Sequence, residues 1–423
     1  MNHKTTGNSL SSYAYANLLL GWMLVIAWGV ASAHAGDWPQ FRGPKQDGVS
    51  TETGINKNWA EKPPQVVWTC ELSDDGFGGP CVAQGKVYIV DHQGTDDIVR
   101  ALDAETGKEI WRFACPGPSQ SRNGFTGATP TVDHGNVIVI GRKGIVHALK
   151  ADTGKMIWER DIMADFKGRF PEWDMNISPV VDDGRLIVVP GGADASVVAL
   201  NEQTGETIWR GAGSEPGYAT PLVVELDGQK QYVTFTAEGL AGWKPETGQR
   251  LWSVPWITPH KQNAATPIVM GNRIFISSAW GAGCALVEVK ANNPKVLWSN
   301  KTMLARFNSP VFWKGFIYGV SEPGNLKCID AATGELQWEK AGFEFGPVMV
   351  VDGALIAVNG KSGAVILIEA KSGNYRELGR IQPLAGSVWT APIVANGKLL
   401  VRNKKTLACL NIQDPEPAIQ RNN

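Results

Sequence analysis

Leu102-Asp103-Ala104-Glu105-Thr106-Gly107-Lys108-Glu109-Ile110-Trp111 decides the fold, because close copies of it recur along the chain. They are Leu149-Lys150-Ala151-Asp152-Thr153-Gly154 with Trp158, and Leu200-Asn201-Glu202-Gln203-Thr204-Gly205 with Trp209. Trp243-Lys244-Pro245-Glu246-Thr247-Gly248 with Trp252 and Ile329-Asp330-Ala331-Ala332-Thr333-Gly334 with Trp338 continue the series. In each, the Trp stands four residues after the Gly. The fifth unit keeps that offset with Pro294 in place of Gly and ends in Trp298. The seventh keeps Ser372-Gly373 and puts Glu377 at the tryptophan place. The pattern is that of a hairpin: Gly supplies the positive φ of a tight turn, and Asp, Glu and Thr ahead of it bond the exposed turn backbone. Strand periodicity then fixes the side of the outermost strand on which each Trp stands, so that it can pack against a neighbouring sheet.

A second marker opens each unit. Gly79-Pro80, Thr129-Pro130, Ser178-Pro179, Thr220-Pro221, Thr266-Pro267, Ser309-Pro310, Gly346-Pro347 and Ala391-Pro392 each lead into two short apolar runs around a turn. Proline suits the first residue of a strand, where its missing N–H does no harm. Successive prolines lie 37 to 50 residues apart, a period that fits four-stranded propeller blades. The fold expected is all-β, an eight-bladed β-propeller of four-stranded antiparallel blades over residues 65–412. The last unit stops at Thr406–Ile412 without its Trp strand, and Gln65-Val66-Val67-Trp68-Thr69-Cys70 precedes the first proline. The N-terminal strand is therefore expected to complete the last blade and leave no free sheet edge there. Seven blades would leave one proline start and this strand unexplained. Structural tryptophans are thus Trp68, Trp111, Trp158, Trp209, Trp252, Trp298 and Trp338.

Residues 1–35 read as a signal peptide. Leu18–Val30 is an apolar run of 13 residues behind a weakly basic start, followed by Ala33-His34-Ala35, a small-x-small cleavage pattern. Such a run is short for a membrane span, and an uncleaved anchor is the alternative. No Cys stands near the cleavage point, so no N-terminal lipid anchor is encoded there. Residues 36–64 form an N-terminal extension and 413–423 a C-terminal tail. An exported protein of the periplasm or outer envelope follows, with no transmembrane segment in the mature chain and a monomeric ring. A net charge of −1 without a basic stripe makes nucleic acid a poor partner. The six cysteines are irregularly spaced and include no Cys-x-x-Cys. Cys328 and Cys409 share a repeat position with Ala101, Ala148, Ala199 and Gly242, so a small buried residue explains them. Pairing among Cys70, Cys81 and Cys115 stays open.

The Ala-x-Thr-Gly-x-x-x-Trp hairpins resemble the Trp-docking repeats of the pyrroloquinoline-quinone (PQQ) superfamily, over about Pro64 to Ile412. One branch is the non-catalytic outer-membrane assembly factor BamB; another is the quinoprotein alcohol dehydrogenases, which hold PQQ and calcium over the central funnel. Asp37-Trp38-Pro39-Gln40-Phe41-Arg42-Gly43-Pro44, followed by Asp47-Gly48-Val49-Ser50, resembles the head of BamB-like repeat proteins of planctomycete-type bacteria. The dehydrogenase branch implies adjacent cysteines forming a disulfide over PQQ, and this chain has none. It also implies a carboxylate and an amide on the calcium, whereas the acidic pairs Asp96-Asp97 and Asp182-Asp183 are expected in solvated turns. The BamB branch implies an envelope protein partner and no cofactor. The leading expectation is a non-enzymatic scaffold or ligand-binding module, the alternative a PQQ- and calcium-dependent dehydrogenase of alcohols or sugars.

Any ligand is expected at the mouth of the axial channel, where the loops entering the innermost strands converge. Those loops contribute Arg122, Asn123, Trp173, Asp174, Asn176, Tyr218, His260, Asn263, Arg306, Asn308, Glu344 and Trp389. Two arginines, two carboxylates, several amides and three aromatics in that mixture suit an anionic or sugar-like ligand, or else bond one another and ordered water. No catalytic residue is assigned: His260 has no nucleophile in a matching context. The six His show no metal-ligand spacing, so no metal site is expected.

Overall fold

The structure, a computed structural model, describes residues 36–73, 75–120 and 124–414. The signal-peptide expectation, the end of the tail, and Arg122 and Asn123 lie outside the described residues.

Eight antiparallel sheets of four strands follow one another along the chain, the seventh carrying one further short strand. Blade 1 is Cys81–Ala83, Lys86–Gln93, Asp96–Asp103 and Glu109–Pro116, from the axis outward. Each later blade begins in the same way just after its proline. Blade 8 takes Ile393–Ala395, Lys398–Arg402 and Thr406–Asn411 from the C-terminal end. Its outermost strand is Gln65–Glu71, antiparallel with Val66 opposite Leu410 and Trp68 opposite Cys409. The ring closes through this pairing, as expected from the orphan Trp strand.

Physical reasons for both markers are visible in the contacts between blades. Trp111 of blade 1 donates from Nε1 to the Ala151 carbonyl of blade 2 at 2.9 Å. Trp158, Trp209 and Trp338 repeat this bond to Glu202, Pro245 and Lys371 of the next blade, at 2.7 to 2.9 Å. Trp68 makes it to Ala104 at 3.0 Å, so the closing strand docks blade 8 on blade 1. The hairpin Gly has two tasks. Gly107 adopts φ +69°, and a Cβ there would stand 2.6 Å from the Trp68 ring. Small residues also back the Trp within its own sheet, with Ala101 opposite Trp111 and Cys328 opposite Trp338. All six cysteines are buried free thiols, and Cys70, Cys81 and Cys115 form no bridge.

Around the axis, the Ser or Thr before the proline ties neighbouring blades together. The Thr129 N–H donates to Ser178 Oγ at 2.9 Å, Ser178 N–H to Thr220 Oγ1 at 3.2 Å, and Thr266 N–H to Ser309 Oγ at 2.9 Å. These hydroxyls satisfy backbone donors that the ring leaves buried.

Blade 7 departs from the expected register. Its hairpin is two residues longer, so the residue facing Leu367 ahead of the bulge is Gly379, and Glu377 faces Ile368. The vacated tryptophan place is therefore Gly379, not Glu377. Glu377 instead pairs with Arg380 at 2.6 Å and accepts from the Tyr375 hydroxyl at 2.9 Å. Trp59, from ahead of the closing strand, fills the gap: a Cβ on Gly379 would lie 2.6 Å from Trp59 Cβ. Trp59 is 1% exposed and shares a core cluster with Leu367 of blade 7 and Leu410 of blade 8.

Candidate functional site: the blind axial funnel

The segment 37–55 enters the ring from the face that carries the turns after the innermost strands. There the Gln84 N–H donates to Asp37 at 3.1 Å, and the Gly54 N–H to Asp352 at 3.1 Å. Between these points the segment runs up the channel and back. Trp38 bridges Val82 of blade 1, and the Val132 N–H of blade 2 donates to the Pro39 carbonyl at 2.8 Å. Gln46 spans blade 4, donating to the Pro221 carbonyl at 2.9 Å and accepting from the Val223 N–H at 3.0 Å. Val49–Ser50 pairs in parallel with Val350 and Val351 of blade 7. Arg42 anchors the turn with φ +64°. Its guanidinium donates to the carbonyls of Gln46 at 3.0 Å, Asp47 at 2.8 Å and Pro310 at 2.8 Å. Burial pulls the Arg42 pKa down to about 10, partly opposed by Asp47.

Above this plug lies a cavity of about 590 Å³. Trp38, Phe41 and Arg42 of the plug line it, together with the proline-marked strand starts. Around the cavity runs a collar of aromatic rings. Phe77 stacks on Trp389 at 4.8 Å, Trp389 meets Phe307 at 5.2 Å, and Phe307 meets Phe345 at 6.3 Å. The Arg306 guanidinium lies 5.2 Å from the Phe345 centroid and 5.0 Å from that of Trp280. Trp280 then reaches His260 at 6.4 Å, His260 reaches Trp173 at 6.3 Å, and Trp173 reaches Tyr218 at 5.9 Å. Among the described residues Arg306 has no hydrogen bond and no carboxylate partner, so the rings on either side are its main electrostatic complement. Trp173 is held by the Tyr218 hydroxyl, which accepts from its N–H at 3.1 Å.

Residues 95–340 and 324–418 match the family described as outer membrane protein assembly factor BamB. The chain belongs to that family. Curated BamB proteins of Moranella endobia and Escherichia coli K12 are each 23% identical to it. The first alignment covers 73% of this chain and 70% of the relative, the second 83% and 79%. The crystal structure of BamB from Moraxella catarrhalis superposes with a TM-score of 0.63 at 17% identity, over 82% of this chain and 99% of that one. Quinohemoprotein alcohol dehydrogenase from Comamonas testosteroni superposes with a TM-score of 0.68 at 15% identity, over 91% and 82%. At those identities the likeness to both structures is one of fold.

Of the residues expected at the mouth, Trp173, Asn176, Tyr218, Arg306, Asn308 and Trp389 line the cavity of this BamB-family propeller. The other described ones stand elsewhere. Asp174, its side chain about half exposed, pairs with the buried Arg142 at 3.1 Å and is not part of the lining. Asn263 is wholly buried and bonds the Thr236 and Trp256 carbonyls at 2.8 and 2.9 Å, holding the loop rather than facing the funnel. His260 projects from the rim, 3.5 Å from Glu172, and Glu344 is exposed in a turn with φ +49°. Phe77, Phe307 and Phe345 escaped the sequence analysis, although each stands two or three residues before a blade proline, as Trp389 does. Trp280 comes from a turn between the second and third strands of blade 5, and the plug residues gave no sign of facing the axis.

The described lining also bears on PQQ and calcium. Its charged and amide groups are Arg42, Arg306, Asn176, Asn308 and Gln262, with no carboxylate among them. Calcium takes oxygen ligands, mostly carboxylates and carbonyls, so these residues do not fit the calcium partner of a quinone. The acidic pairs lie away from the funnel lining, and Asp97 is not solvated as expected. It is buried, its pKa raised by desolvation, and bonded to His92 Nδ1 at 2.8 Å. Asp182 is half-buried and joins Lys230 and Tyr232 of blade 4, both at 2.8 Å.

Proposed function

We propose that this BamB-family propeller is an exported, non-enzymatic scaffold of the cell envelope, and that the open mouth of its blind funnel is the face that recognises a partner protein. Export rests on Leu18–Val30 and Ala33-His34-Ala35. No helix among the described residues is long and apolar enough to cross a membrane. The observation that carries the choice of face is the rim. Ile257 is 70% exposed and Phe170 54%, the two highest values among the exposed large apolar side chains, and they sit in the loops that bear His260 and Trp173. Exposed apolar groups beside aromatics and an arginine lacking a carboxylate partner are the composition of an interface centre. The cavity inside the collar is of a size that takes a small molecule or a partner side chain. A PQQ- and calcium-dependent dehydrogenase would call for a different donor set, since no described lining residue is a carboxylate.

Tagged protein purified from detergent-extracted envelopes should carry an outer-membrane assembly partner with it. Trp173→Ala combined with Ile257→Asp should abolish that association without unfolding the ring. Saturable binding of PQQ with Ca²⁺, accompanied by dye-linked alcohol oxidation, would replace the scaffold with the dehydrogenase.

A further inference from the structure

Away from the funnel, on the face that carries the hairpin turns, blades 2 and 3 bring three ligand-type side chains together. The turn Asp133-His134-Gly135-Asn136 joins the first two strands of blade 2. Glu202 stands in the Trp-docking hairpin of blade 3. Asp133 Oδ2 lies 2.8 Å from His134 Nδ1, which lies 3.6 Å from Glu202 Oε2. One ligand atom from each residue falls within 4.8 Å of the other two.

Glu202 is the telling member. Its hairpin position holds Ala104, Ala151, Ala331 and Ala370 in other blades. Its backbone does there what those alanines do: the N–H donates to Gly184 at 2.9 Å, and the carbonyl accepts from Trp158 Nε1 at 2.9 Å. Blade docking therefore needs no carboxylate at this place. Yet the side chain is only 1% exposed, and Oε2 has no hydrogen-bond partner. Oε1 is better served, 3.5 Å from Asn136 Nδ2. A buried carboxylate oxygen with no hydrogen bond, only the His134 imidazole 3.6 Å away, is costly, and a cation beside it removes the cost.

We propose that Asp133, His134 and Glu202 bind one divalent transition-metal ion of the zinc type, which clips blade 2 to blade 3. A tetrahedral ion with bonds of about 2.0–2.2 Å sets its ligands roughly 3.3–3.5 Å apart. The present spacing needs only small side-chain adjustments, chiefly by the exposed His134. Imidazole nitrogen with two carboxylates suits zinc-like ions better than Ca²⁺ or Mg²⁺, which take oxygen alone. Solvent reaches His134 and Asp133, whose side chains are 65% and 35% exposed, and leaves room for water as the fourth ligand. Bound metal stabilises the folded ring because the unfolded chain does not hold these residues together.

The test is calorimetric titration of the whole protein with ZnCl₂ in a non-chelating buffer, beside thermal melts with and without the ion. One saturable site per chain is expected, with a higher melting temperature when zinc is present. Glu202→Ala installs the residue the sister hairpins carry and should keep the fold, which its melt without zinc reports. That variant and His134→Ala should each weaken zinc by at least about tenfold and lose the melting shift. The proposal is overturned if the wild type takes up no zinc saturably, or if both variants bind it with unchanged affinity. CaCl₂ binding as tightly as zinc would overturn it as well.

Discussion

The two ends of the axial channel each present an arginine, in opposite circumstances. At the plugged end Arg42 is buried and gives its donors to the carbonyls of Gln46, Asp47 and Pro310. At the open end Arg306 is half-buried between Trp280 and Phe345, without a hydrogen bond among the described residues. The first arrangement is closed: the donors go to carbonyls of the segment's own turn and, through Pro310, to blade 6 of the ring. The second leaves the Arg306 donors unspent among the described residues. Built-in structure and recognition are told apart here by which polar groups are already satisfied, not by residue type.

That contrast breaks or sharpens in order of expected effect. Trp59→Ala empties the slot over Gly379 and should cost about 3–5 kcal/mol in denaturant unfolding, as large aromatic truncations in cores do. A loss near zero would mean that the segment merely rests on the ring. Arg42→Ala takes the guanidinium donor from the buried Gln46 and Pro310 carbonyls and should cost about 3 kcal/mol by the same measurement. At the mouth the sign of the contrast reverses. Arg306→Ala with Trp389→Ala should shift unfolding by less than about 1 kcal/mol, since neither residue is tied into the core. The same pair should weaken partner binding by more than about tenfold in surface plasmon resonance. Equal destabilisation at both ends would erase the distinction.

The smallest effect is a perimeter control. His147 is buried, and desolvation lowers its pKa below 6.5, opposed by Glu159 at 2.9 Å. In the unfolded chain the imidazole takes its proton first as pH falls through about 6.5. The native state should therefore lose stability below that pH, until the folded His147 is itself protonated. His147→Asn should flatten that part of the pH–stability curve followed by urea melts.

The ring was legible in the sequence because propeller blades repeat, so each Pro start and each Trp reports the same local geometry. Even the closing strand could be assigned, since Trp68 lacked a hairpin before it and blade 8 lacked a Trp after it. The plug could not be read in this way. Trp38, Arg42 and Gln46 occur once and acquire meaning only when blades 1, 4 and 6 surround them. Blade 7 misled for a related reason: its hairpin is longer by two residues, so counting from Gly373 lands on Glu377, while strand pairing selects Gly379. The collar was half legible. Trp173, Tyr218, Arg306 and Trp389 were found by looking before the prolines for polar and large aromatic groups. Phe77, Phe307 and Phe345 were not, because phenylalanines in such loops resemble core residues until the ring turns them to one axis. Phe77 and Trp389, stacked at 4.8 Å, meet only through ring closure.

On the proposed reading the open mouth, and not the plugged face, is where this propeller meets its partner. Photo-crosslinking amino acids placed at Trp389 on the collar and at the exposed Lys314 on the plugged face test it most directly, in cells, with products identified by mass spectrometry. Crosslinks to an envelope protein from position 389, and none from 314, are the result expected. Crosslinks from 314 alone, or from neither position to such a protein, would contradict the account.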